Sequence, residues 1–134
     1  IDDPLMAAVP LHHPFARQAS LSAAELATLP FILYPKDPRS PFGQQVLSIL
    51  ANAGARPVVA YEAIEIYTAL SLVGAGLGAT LVGRSTTENN RSDVAFLPVS
   101  DIGAGTNIVA ITRAGEPSKP AAAFLAILAE QGKR

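Results

Sequence analysis

Residues 64–85, IEIYTALSLVGAGLGATLVGRS, constrain this chain most, because their periodicity changes from helical to extended across closely spaced glycines. Ile66, Ala69, Leu70, Val73 and Leu77 fall at i, i+3, i+4, i+7 and i+11, one face of a helix, and Ala79 to Val82 then reads as a continuous buried strand. Gly76 can take the left-handed conformation that ends a helix, and Gly78 lets the strand begin with no Cβ in the way. Helix, tight turn and buried strand in that order belong to an α/β domain whose sheet is covered by helices.

The rest of the chain repeats this alternation. Leu5–Val9, between two prolines, is a short strand, followed by the connector LHHPFARQA. Ser22 and Glu25 have capping-box spacing and Leu21 with Leu26 staple spacing, so a small helix begins there and Pro30 closes it. Phe31–Tyr34 is a strand stopped by Pro35. Ser40 then stands as N-cap with Pro41 at the first helical position. In the helix that follows, Phe42, Val46, Ile49, Leu50 and Ala53 share a face and Gly54 ends it. Strands are expected at 57–61, 94–99 and 107–112, with a closing helix over 117–131 that turns Phe124, Ile127 and Leu128 inward. From Phe31 to Val82 the order β-α-β-α-β with short connections favours parallel strands and right-handed crossovers.

Composition excludes more than it locates. With 134 residues, 49% of them hydrophobic and 16% charged, the chain is apolar enough to suggest that some surface meets a partner or a further segment. No run reaches the ~18 apolar residues of a membrane span, and the N-terminus has no signal-peptide pattern. A formal net charge of −1 with scattered basic residues leaves no electrostatic footprint for nucleic acid. The absence of cysteine rules out disulfides, thiolate metal sites and a cysteine nucleophile, and fits cytoplasm or periplasm equally. Because the chain opens on Ile1 inside an apparent strand, a fragment of a longer protein is expected.

Catalytic and metal constellations are poorly supported. His12 and His13 are adjacent and precede Pro14, so they cannot share a helical face as i, i+4 ligands do; a solvated turn is the expected reading. GAGLG ends a helix, whereas a pyrophosphate-binding glycine run opens one. Glu62 and Glu65 are expected to complement the dipole of the helix that follows them. The start of the helix at Ser40 is the better candidate. The hydroxyl of Ser40, the amides of Phe42 and Gly43, and the positive end of the helix converge there, with Lys36 and Arg39 in the preceding loop. That set could receive a carboxylate or phosphate, although a serine that merely caps its own helix explains it as well. In an open α/β sheet, this helix start and the one near Ile64 both lie beyond the carboxyl ends of strands, where ligands settle.

The order VPLHHPFA, LSAAELATLPFILYP, SPFGQQVLSILANAGARP, YEAIEIYTALSLVGAGLGATLV, VAFLPV, TNIVAITR resembles the second half of the effector-binding domain of LysR-type transcriptional regulators, over essentially the whole chain. The YP and SPF segments are most similar to regulators of aromatic-compound degradation. The resemblance implies a type II periplasmic-binding-protein-like fold of two α/β lobes, and a non-enzymatic sensor. Residues 17–104 would be the complete second Rossmann-like lobe. Residues 1–16 would be the last strand of the first lobe with its hinge, and 105–134 that lobe's return strand and helix. The winged helix-turn-helix, the linker helix and half the cleft would then lie elsewhere.

By the same resemblance the effector-facing positions are Ser40, Pro41 and Phe42 at one helix start and Ile64 and Glu65 near the other, with no catalytic residue, metal or cofactor. The effector would be a small carboxylate, and self-association to a dimer or tetramer is implied. DNA would be bound only through the N-terminal domain, in the cytoplasm and without a membrane. Gly83 with Arg84 departs from the proline that commonly follows this strand in the family. Bending is expected at 10–17 and 100–106, and self-association of this piece through the faces of 107–112 and the last helix. The rival from a transport class is a lobe of an extracytoplasmic solute-binding protein for a small anion; an enzyme on a similar scaffold would need a base or nucleophile that this half does not offer.

Overall fold

The computed structural model describes residues 2–89, 91–102 and 107–109. The expected closing helix, and residues 110–112 of the last expected strand, lie outside them. Along the chain come β1 (Asp2–Pro10), a 3-10 turn at Pro14–Arg17, α1 (Ala23–Leu26), β2 (Phe31–Leu33), α2 (Phe42–Asn52), β3 (Val59–Glu62), α3 (Ile66–Gly74), β4 (Thr80–Gly83), a 3-10 segment at Arg84–Asn89, β5 (Val94–Pro98) and β6 (Asn107–Val109).

β1 is the centre of the sheet. Leu5–Ala8 pair antiparallel with β4, Met6–Pro10 pair antiparallel with β5, and Asp2–Pro4 pair with β6. Ala7, Ala8 and Val9 are wholly buried because both faces of the strand are covered. Ala7 and Val9 join a core with Leu21, Leu26, Phe31, Val46 and Leu50, while Ala8 joins a second with Ile32, Leu70, Val73 and Val82. The period-2 alternation of a strand thus divides two hydrophobic layers. Leu5–Pro10 therefore belong to the same sheet as β4 and β5. Residues 10–17 form a bonded turn: Leu11 N–H donates to Asp93 O at 3.1 Å and Ala16 N–H to His13 O at 2.9 Å.

β2 and β3 pair in parallel, as the β-α-β order requires, and a parallel bridge between Phe31 and Ala79 joins β2 to the β4 side. Ile32 N–H donates to Ala79 O and Ala79 N–H to Pro30 O, both at 2.9 Å. Beyond that bridge side chains span the junction: Thr80 Oγ1 donates to Ile32 O at 2.6 Å and the Tyr34 hydroxyl to Leu81 O at 3.0 Å. The close approach explains Gly78, where a Cβ would overlap the Pro30 carbonyl oxygen. Gly76 serves differently: its φ of 86° ends α3, with open space around it.

The helices follow the patterns that predict them. Ser22 Oγ accepts Glu25 N–H at 3.0 Å and the Glu25 carboxylate accepts Ser22 N–H at 2.9 Å, completing the capping box. α2 buries Val46 and Leu50 and half-buries Phe42, Ile49 and Ala53. α3 buries Ala69, Leu70 and Val73, while Leu77 lies past its end and is 40% exposed. β3 is exposed along its whole length.

Gly78→Ala should destabilise by about 3 kcal/mol, because backbone must move to admit the methyl group. Gly76→Ala should cost about 1 kcal/mol, for the left-handed conformation alone. Urea unfolding of the two variants checks this; equal losses would mean that the Pro30 approach does not limit position 78.

Candidate functional site

A cleft of about 290 Å³ opens at the carboxyl ends of β2 and β3. The chain that leaves β2 and the first turn of α2 form one wall, through Lys36, Ser40, Gly43 and Gln44, and Glu62 stands in the lining from the end of β3. Two backbone bonds hold these segments together: Ala63 N–H donates to Leu33 O at 2.8 Å and Lys36 N–H to Ala63 O at 2.9 Å. Residues 36 and 62 are thereby rooted beside one another, with side chains free to meet a ligand.

α2 starts one residue later than expected. Pro41 occupies the N-cap position and has no side-chain cap bond. Ser40 Oγ accepts Phe42 N–H at 3.4 Å, a long contact, and the amides of Gly43 and Gln44 have no acceptor among the described residues. Those amides and the helix dipole give this wall a positive electrostatic character.

The start of α3 is different. Glu65 is its N-cap, and the carboxylate accepts Tyr67 N–H at 2.7 Å, Thr68 N–H at 3.2 Å and Thr68 Oγ1–H at 2.6 Å. The Thr68 hydroxyl first, and the Tyr67 amide next, hold the Glu65 carboxyl below its ordinary range. The amides a ligand anion would need here already have one.

Of the five expected positions, Ser40 lines the cleft. Pro41 is exposed beside it, Ile64 is 72% exposed, and Glu65 serves its own helix. The Phe42 side chain turns inward against Tyr34, with ring centroids 5.2 Å apart. Arg39 faces Asp37 instead of the cleft, its Nε 3.2 Å from Asp37 Oδ1, and its amide and guanidinium keep the Asp37 carboxyl low. Gln44 and Glu62 are cleft residues that sequence reasoning did not assign. Glu62 was expected at the dipole of α3; in the structure it ends β3, paired with Leu33, and a strand boundary one residue later would have revealed it. His13 Nδ1 accepts Phe15 N–H at 3.0 Å, so it caps the 3-10 turn. Among the described residues no three metal-ligating side chains come together, and no helix is long and apolar enough to cross a membrane.

An antiparallel sheet bridged to a parallel pair, with helices on it and a polar cleft beyond the parallel strand ends, is an α/β domain of the kind that takes ligands at the carboxyl ends of its strands. The model of the LysR substrate binding domain matches residues 1–133, and the chain belongs to that family. It is 36% identical over 132 residues to the HTH-type transcriptional regulator CatR of Pseudomonas putida, covering 98% of this chain and 45% of that regulator. It is 32% identical over 116 residues to BenM of Acinetobacter baylyi, covering 85% of this chain and 38% of BenM. The chain therefore spans less than half the length of these curated relatives. Among solved structures, the BenM effector-binding domain with its effector benzoate superposes with a TM-score of 0.69 at 29% identity, over 75% of this chain and 46% of that one. The LysR-family regulator CbnR shares the fold, with a TM-score of 0.68 at 24% identity over 75% of this chain and 35% of CbnR.

Because the folded-state pKa of Glu65 is lowered, its cap stabilises fully above its ordinary value of 4.5 and fades as pH falls through the lower, folded value. Glu65→Gln should therefore melt below the wild type at pH 7, and the gap should close on acidification. A gap that stays constant down to acid pH would assign the effect to packing and not to the charge.

Proposed function

We propose that this chain is the second half of the effector-binding domain of a cytoplasmic bacterial LysR-type regulator, and that it is a sensor and not an enzyme. Its lobe holds β4, β1 from Leu5 onward and β5, and the strands Asp2–Pro4 and Asn107–Val109 cross toward the first lobe. The effector is a small organic acid held between lobes, and its binding shifts the arrangement of a DNA-bound dimer or tetramer by favouring one lobe orientation. DNA is contacted through a separate N-terminal domain.

The observation that carries the carboxylate is the open start of α2: two amides without acceptors, the Ser40 hydroxyl and Lys36 on one wall of the cleft. The benzoate seen in the BenM domain supports the same chemistry. Pro41 and Phe42 shape the approach to these amides. Ile64 and Glu65 are the effector-facing positions at the other helix start, where the Glu65 charge disfavours a second anion on α3. Family membership favours the regulator over the solute-carrier reading, because the relatives are regulators.

In the intact two-lobed domain of the parent protein, benzoate should raise the melting temperature and neutral benzamide should not. Ser40→Ala should weaken benzoate about three- to tenfold, the worth of one hydrogen bond. Equal responses to the acid and the amide, or none across a series of small carboxylates, would reject the anion-binding reading.

A further inference from the structure

The chain that leaves β5 is fastened to α1 by contacts that the local rules for helix capping do not supply. Leu21 and Val99 form a parallel bridge. Leu21 N–H donates to Pro98 O at 3.0 Å, and Leu21 O accepts Ser100 N–H at 2.7 Å and the Ser100 hydroxyl at 3.3 Å. Asp101 Oδ1 then accepts Ala23 N–H at 2.7 Å, across 78 positions of sequence. Ile102, 7% exposed, closes the segment by entering the core that holds Leu5, Leu21 and Leu26.

The capping box explains why Asp101 is needed. Glu25 serves the Ser22 amide and Ser22 serves the Glu25 amide, which leaves the amide of Ala23, the first residue of α1, without a local acceptor. Asp101 supplies it with a carboxylate at the positive end of the helix. Beyond this anchor, β6 pairs with the opening residues of β1 at Asp2–Pro4, while the remainder of β1 is locked between β4 and β5. The entering strand and the leaving chain are therefore both fixed to the lobe up to nearly the same level.

We propose that Asp101 is a positioning residue that makes the return chain part of the rigid lobe as far as Ile102, so that bending relative to the rest of the protein falls beyond Ile102 on the return side and before Leu5 on the entering side. Residues 98–102 move with α1 as one body. A change of lobe orientation is then transmitted through two paired strands and is not absorbed by slack at Ser100–Ile102. The structural half stands on the contacts above, and the link to signalling rests on the effector-domain reading.

Hydrogen exchange on the full-length regulator tests it, with Asp101→Ala and Asp101→Asn beside the wild type. In the wild type the amides of Leu21, Ala23 and Ser100 should exchange as slowly as those of β5, and more slowly than those of β6. Asp101→Ala should speed Ala23 and Ser100 about tenfold, keep benzoate affinity within about twofold, and shrink the benzoate-induced change in operator-DNA binding. Asp101→Asn, which keeps the Oδ1 acceptor, should restore both readouts. Wild-type exchange at Ser100 as fast as in β6 would overturn the proposal. So would an Asp101→Ala protein with faster exchange at Ala23 and an unaltered benzoate response, since Asp101 would then be a helix cap and nothing more. Failure of benzoate to bind the wild type would count against the preceding reading, and the exchange rates would still decide this one.

Discussion

The whole lobe depends on β1 being buried on both faces between two antiparallel neighbours. A strand in that position can carry only what two packed layers accommodate, and Ala7, Ala8 and Val9 meet the requirement with small side chains wholly removed from water. Their alternation sends Ala7 and Val9 to the core beneath α1 and α2 and Ala8 to the core beneath α3. α1, α2 and α3 thus take their places from the parity of one strand. β1 runs against both β4 and β5, whereas β2 and β3 form a separate parallel pair that a single bridge joins to the β4 side.

The second constraint is the seam between β2 and β4. Backbone pairing there is a single bridge, and the strands then part, so Thr80 and Tyr34 complete the seam with hydroxyls that reach carbonyls on the far side. Burying those carbonyls without donors would cost about 1–3 kcal/mol each. The seam also brings the Pro30 carbonyl against Gly78, so the turn after α3 and the strand that leads to the cleft fix one another's position.

Local chemistry was legible in the sequence and long-range pairing was not. The helix-glycine-strand block, the capping box at Ser22, the face of α2 and the parallel order of β2 and β3 follow from periods and cap spacings within a few residues. The strand at Leu5–Val9 was recognisable too, but its partners lie some 70 to 90 positions on, and burial on both faces removes the alternation that would say which sheet it joins. The strand expected at 57–61 was legible but its exposure was not: Val58 is 74% exposed and β3 is exposed along its length. At the site, the open amides at the start of α2 were legible from Ser40 and the residues around it. The one-residue shift that puts Pro41 at the N-cap was not, and neither was the role of Glu62, because both depend on where an element ends.

The two helix starts at the same end of the sheet show how one lobe comes to have a single polarity. Each begins with unsatisfied amides and a positive dipole, and by geometry alone each could hold an anion. α3 satisfies its own through Glu65, whose carboxylate takes two amides and a hydroxyl, so that end is neutralised within the chain. α2 has a proline at the corresponding position, with no side-chain acceptor to offer, and its next two free amides remain open toward the cleft. The difference between a glutamate and a proline at the N-cap therefore gives the cleft one receptive wall.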